Sequence, residues 1–156
     1  MTVAAVERWV EGPLRRFVED SQVVLALLLT PSGQVLAQHG FTRAVDVMSA
    51  CALAAAIHAS STELGMQLQG RPFAALHHAG KRRQLFLSRT LTSRGAYVFL
   101  TVFDQASSLG LVQLYYGEFA ARLEAAAPPP AGDAAPVLDD NFEQDLDRNL
   151  ALLFRR

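Results

Sequence analysis

The sequence predicts an α+β domain, one antiparallel sheet held between helices. Two observations predict it. Apolar residues switch along the chain from helical spacing to short strand-like runs and back. The strand-like runs are joined by short polar turns, so neighbouring strands must be antiparallel. A third observation concerns assembly. The stretch from Asp46 to Gly65 (DVMSACALAAAIHASSTELG) reads as one long helix, and no charged side chain occurs from Val47 through Thr62. A surface helix ordinarily pairs one apolar stripe with a charged face. This one has no charged face, so it is expected to pack on its own sheet with one side and on another protein with the other.

From Val3 to Val18 the apolar residues Val3, Val6, Val10, Leu14, Phe17 and Val18 recur every three or four positions, with Glu7, Arg8, Glu11, Arg15 and Arg16 between them. That is an amphipathic helix, with a kink or break expected at Gly12-Pro13 because an interior proline removes a donor. Gln22 to Thr30 (QVVLALLLT) is a continuous apolar run suited to a strand buried on both faces. Pro31-Ser32-Gly33 supplies a turn and Gln34 to Gln38 returns as a second strand. His39 follows it and is expected to be exposed.

In the central helix Asp46 is placed to cap the first turn and Gly65 to end the last. Leu53, Ile57 and Leu64 lie on one side, expected to face the chain's own sheet. Ala52, Ala55, Ala59 and Thr62 form a second side, small enough for another backbone to approach. A helix buried within a monomer is the plainer alternative. A membrane span fits less well, because three serines, a threonine and His58 interrupt the run where a span needs about 20 mostly apolar residues.

Three strands follow, Pro72 to Ala79, Gln84 to Arg89 and Ala96 to Phe103, joined at Gly80-Lys81-Arg82-Arg83 and Thr92-Ser93-Arg94-Gly95. They form a meander whose first strand, opening on Pro72, is an edge where another chain could pair. Ser107 or Ser108 can cap a helix from Leu109 to Ala126. Residues 127–137 are a linker, with four prolines between Ala127 and Pro136. Residues 138–156 then carry Leu138, Phe142, Leu146, Leu150 and Leu153 at helical spacing. Asp139, Asp140, Glu143, Asp145 and Asp147 crowd the first half, and Arg148, Arg155 and Arg156 are the basic residues. Such a segment can fold back on its own domain or enter a partner's groove. Residues 1–126 form the domain to which linker and tail are appended.

Composition excludes several function classes. A net charge of −1 over 156 residues gives no basic excess for nucleic acid. The single cysteine, Cys51, cannot form an intrachain disulfide and reads as a small buried thiol. The opening residues lack a signal-peptide pattern, so a cytoplasmic protein is expected. Adjacent His77 and His78 point to opposite faces of a strand and cannot share a metal. No phosphate-binding loop, dinucleotide fingerprint or nucleophile elbow occurs. Neither an enzyme nor a cofactor is expected. Lys81, Arg82 and Arg83, with Arg71, Arg89 and Arg94, make the hairpin tips basic, either as solvated turns or as a contact for an acidic surface.

The order helix, hairpin, alanine-rich helix, meander, helix, with VVLALLLTPSGQVLAQHG leading into DVMSACALAAAIHASSTELG, resembles the roadblock / dynein light chain domain family. The later LFLSRTLTSRGAYVFLTVFDQASSLGLVQLYY is similar to that family's closing segment, with Leu109-Gly110 opening the last helix. The likeness covers about Val3 to Ala126. It extends to the bacterial MglB type, which also carries a leading helix, a proline-containing linker and a C-terminal amphipathic helix. The resemblance implies a roadblock-like α/β sandwich, a five-stranded antiparallel sheet in the order α-β-β-α-β-β-β-α. It also implies a homodimer that regulates a small Ras-like GTPase of the MglA type, stimulating hydrolysis and in some cases nucleotide exchange, by repositioning the GTPase's own switch residues. A dimeric scaffold without effect on nucleotide turnover is the alternative. Cys51, Ala52, Ala55, Ala59, Thr62, Phe73, Ala75 and His77 would meet their twins. Ser60, Glu63, Met66, Phe142, Leu146 and Leu150 would touch the GTPase.

Overall fold

A computed structural model describes residues 7–40 and 46–129. The elements run α1 (Arg8–Ser21), β1 (Leu25–Leu29), β2 (Val35–Gly40), α2 (Val47–Gln69), β3 (Ala75–Ala79), β4 (Gln84–Thr92), β5 (Gly95–Phe103) and α3 (Leu109–Ala126). The five strands form one antiparallel sheet in the order β2-β1-β5-β4-β3. Residues 1–6, most of the linker and the whole tail, including Phe142, Leu146 and Leu150, lie outside the described residues.

Two cores sit on opposite faces of the sheet. On one, Val10, Leu14 and Phe17 of α1 and Val112, Phe119 and Leu123 of α3 pack on Ala26, Leu28, Phe86 and Phe99. On the other, Cys51, Ala54 and Ala55 of α2 pack on Leu25, Leu27, Leu29, Leu87, Val98 and Leu100. Strand β1 thus sends alternate residues into both cores and is buried along its whole length. That is why its sequence is continuously apolar rather than alternating.

Helix α1 runs unbroken through Pro13 and on to Ser21, past the expected end at Val18. Val10, Leu14 and Phe17 form a fully buried stripe that holds both halves of the helix to the sheet. Gln22 ends it in the left-handed region at φ 54°, its amide donating to the Val18 carbonyl.

Helix α2 begins where expected. The Asp46 carboxylate accepts from the Ser49 amide at 3.2 Å and the Ser49 hydroxyl at 2.7 Å. Those two bonds hold the carboxyl below its ordinary range. The far end differs. The helix passes through Gly65 and stops at Gly70, whose φ is 71° and whose amide donates to the Met66 carbonyl. Gly65 serves close approach instead of a turn. A Cβ there would lie 2.7 Å from the Phe73 nitrogen and 2.8 Å from the Arg71 oxygen, because the chain doubles back across the helix at that point. Strand β3 accordingly starts at Ala75 and not at Pro72.

His39 is buried at 6% exposure, not exposed as its position after a strand suggested. It is covered because α1 lies over β2. Burial lowers its pKa from 6.5, Arg15 adds to the effect, and the carboxylates of Glu19 and Glu11 oppose it. His58 on α2 is lowered too, by burial and then by Arg89. Both groups bind protons more readily when unfolded, so their contribution is complete above about pH 6.5 and is lost as pH falls through the folded values. The urea midpoint is expected to fall between pH 7.5 and 5, and His39→Gln to flatten that slope.

Candidate functional site: an open apolar face

Over 23 residues α2 buries only Cys51, Ala54, Ala55 and Gly65. Small residues face inward because the sheet beneath them is already filled by leucines. Their size lets the helix settle directly on Leu25, Leu27 and Leu87, while a larger side chain would lift it. The β1–β2 turn closes on the same stripe, where a Cβ at Gly33 would lie 3.5 Å from Ala52 and Ala55. This overturns part of what the sequence suggested: Leu53 and Leu64 stand open while Ile57 packs against the core on the sheet as expected, and of the small side only Ala55 is buried. Cys51 and Ala55 are covered by their own sheet and present no surface to a twin, whereas Leu53 is 64% and Leu64 51% exposed. Ala52 and Ala59 are exposed and Thr62 is half-buried. Burial pushes the Cys51 thiol pKa up, so it is an unreactive core group.

Beside α2 the sheet is left partly uncovered. A cavity of about 200 Å³ opens over Leu85, Leu100 and Val102, walled by Leu53, Ala54 and Ile57. A second, of about 380 Å³, shares Leu53 and Ile57 and continues past Ser60 and Leu64 to Phe73 and Leu76. Together they form an apolar trough from the sheet floor, along the flank of α2, to β3. Met48 and Leu68, both exposed, extend the apolar surface of α2 toward its two ends.

The trough ends at a sheet edge. β3 pairs with β4 alone, from Ala75 opposite Ser88 to Ala79 opposite Gln84, so its outer backbone groups have no strand partner among the described residues. Ala75 and His77 are exposed there and Phe73 is half-buried at the trough's end. His77 is oriented by a hydrogen bond to Gln84 at 2.8 Å and stacks on Phe103 with ring centroids 6.1 Å apart. Ser60, Glu63 and Met66 are exposed on α2. Glu63 accepts from the Gln67 side-chain amide at 2.9 Å.

Among the described residues no three of His, Cys, Asp and Glu come together as metal ligands would. The chemistry this surface supports is burial of apolar area and strand addition. By length and composition α2 could cross a membrane. In this fold it forms the outer layer of a sheet, with Asp46 at one end and Gly70 turning the chain back at the other.

A five-stranded antiparallel sheet with two helices on one face and a single long helix on the other is the roadblock/LC7 fold. The structure is similar to the roadblock/LC7 domain from Streptomyces avermitilis, with a TM-score of 0.59 and 15% identity over 78% of this chain and 97% of that one. It is more similar to MglB. Myxococcus xanthus MglB matches with a TM-score of 0.69 and 24% identity over 77% of this chain and 95% of that one. The gliding protein MglB of Thermus thermophilus matches with a TM-score of 0.67 and 23% identity over 80% of this chain and 92% of that one. No protein-family model and no curated protein matches the sequence.

Proposed function

We propose that the chain is a cytoplasmic homodimer that regulates a small Ras-like GTPase of the MglA type, stimulating GTP hydrolysis by repositioning the GTPase's own switch residues. The observation that carries this reading is the continuity of the trough, the exposed flank of α2 and the unpaired edge of β3. A second copy covers all three at once, β3 pairing with β3 while Leu53 and Leu64 enter the neighbouring trough. Glu63 and Met66 are exposed on α2 outside the trough's lining and are assigned to the GTPase, while Ser60, which lines the trough, falls to the second copy. The likeness to MglB supplies the class of partner.

The test is single-turnover GTP hydrolysis by the GTPase with increasing amounts of this protein. An acceleration of about a hundredfold is expected, the scale on which a catalytic group displaced by about 1 Å loses rate. Acceleration should saturate at two chains per GTPase. Binding without acceleration would leave a scaffold, and neither binding nor acceleration would remove the GTPase-regulator reading.

A further inference from the structure

A second groove of about 440 Å³ lies past the end of β3, apart from the trough's sheet floor. It is lined by Arg71, Phe73, Ser88, Arg89, Leu91 and Tyr116. It exists because β4 outruns its neighbour. Pairing with β3 stops at Ser88, and β4 continues to Thr92 with no strand on that side. Tyr116 of α3 closes the back, its hydroxyl hydrogen-bonded to Thr90 Oγ1 at 2.9 Å and donating to the Arg89 carbonyl at 3.2 Å. Leu91 stands 63% exposed. Neither Arg71 nor Arg89 forms an ion pair among the described residues. The groove is therefore mostly apolar, with Arg71 and Arg89 in its lining.

The same chain contains a segment of the opposite character. Leu138, Phe142, Leu146, Leu150 and Leu153 recur at helical spacing, with Asp139, Asp140, Glu143, Asp145 and Asp147 beside them. The point from which it departs is close to the groove. Glu124, near the end of α3, accepts from the Ser93 amide at 2.8 Å, and Ser93 is two residues from Leu91. Tyr116 lies about 12 Å back along the same helix, at about 1.5 Å per residue. The residues between Pro129 and Leu138 span up to about 30 Å extended, enough to return to it.

We propose that residues 138–156 dock into this groove of their own chain, apolar stripe against Leu91 and Tyr116, carboxylates toward Arg71 and Arg89. A helix in a groove buries its stripe without requiring a second protein. The docked stripe is the set Phe142, Leu146 and Leu150, so while docked these residues are withheld from any partner. The docking itself is measured on the isolated protein, and its outcome is independent of whether a GTPase is bound or activated.

Disulfide trapping in the full chain tests it. Leu91→Cys is combined in turn with Phe142→Cys, Leu146→Cys and Leu150→Cys, and with Gln144→Cys, which lies off the stripe; buried Cys51 stays in place. The expected result is a bond within one chain for at least one stripe position, forming at least about tenfold faster than the Gln144→Cys pair, since bridging needs Cα atoms within about 7 Å. Arg71→Glu with Arg89→Glu should slow trapping by about tenfold, two exposed charge contacts having been reversed. Equal rates on and off the stripe would show a tail that merely collides, and would overturn the proposal. Bonds between two chains would overturn it by placing the segment on the other copy. A rate untouched by the arginine reversals would overturn the charge contact.

Discussion

Leu53→Asp is expected to leave the chain folded while converting the proposed dimer to monomer. Leu53 is 64% exposed and lines both parts of the trough. In a single chain the new carboxylate stays in water, and a surface change of that kind moves stability by about 0.5 kcal/mol or less. In the assembled state the same group is buried without a partner, at a cost of about 3–5 kcal/mol. Each 1.4 kcal/mol is about tenfold in affinity, and a two-fold dimer carries the change in both copies, so the dissociation constant should rise by at least roughly two orders of magnitude. Sedimentation equilibrium at micromolar concentration reads the assembly, and a urea titration confirms the fold. A variant that stays dimeric moves the interface elsewhere. Ala55→Glu, on the side expected from the sequence to meet a partner, should instead unfold the chain, because Ala55 rests on the sheet at 8% exposure.

The second large effect is expected from Phe99→Ala. Phe99 is fully buried on β5 and meets the rings of Phe17 and Phe119 with centroids 4.9 Å away in each case. Tyr116 lies 5.1 Å and Phe86 6.4 Å from the same ring. One side chain thus joins α1, α3 and β4. Its removal leaves a cavity that four rigid rings cannot collapse to fill, and buried Phe to Ala costs about 3–5 kcal/mol. For a chain of this size each kcal/mol lowers the melting temperature by roughly 2–4 °C, so a drop of about 10 °C is expected by circular dichroism. A shift under about 3 °C would mean that the aromatic cluster does not hold the two helices to the sheet.

The element order was legible because each element announces itself locally. Alternation and turn residues mark β4 and β5, and Asp46 and Ser108 mark two helix starts. Every strand and helix expected between residues 7 and 129 is present, with ends moved by a few positions. The candidate site was legible as a place and not as an orientation. That α2 is too bare of charge to face water on all sides is written in its composition. Which flank faces the sheet is not, since Leu53 with Ile57 and Cys51 with Ala55 are equally apolar stripes. The choice falls to the sheet, whose leucines leave room only for small partners. Gly65 misled for a related reason. Glycine permits both a left-handed turn and close approach of two backbones, and only the path of Arg71 to Phe73 says which is used. His39 was likewise read from its neighbours in sequence, while its burial comes from α1, far upstream in the chain.

In the proposed dimer, the bareness of α2 makes dilution a chemical perturbation. For a chain sheltered by its own copy, mass action adds the free energy of association to that of folding. The melting temperature then climbs with protein concentration, although no residue changes. For that dimer, the amount of chain a cell makes would set the fraction of assembled particles.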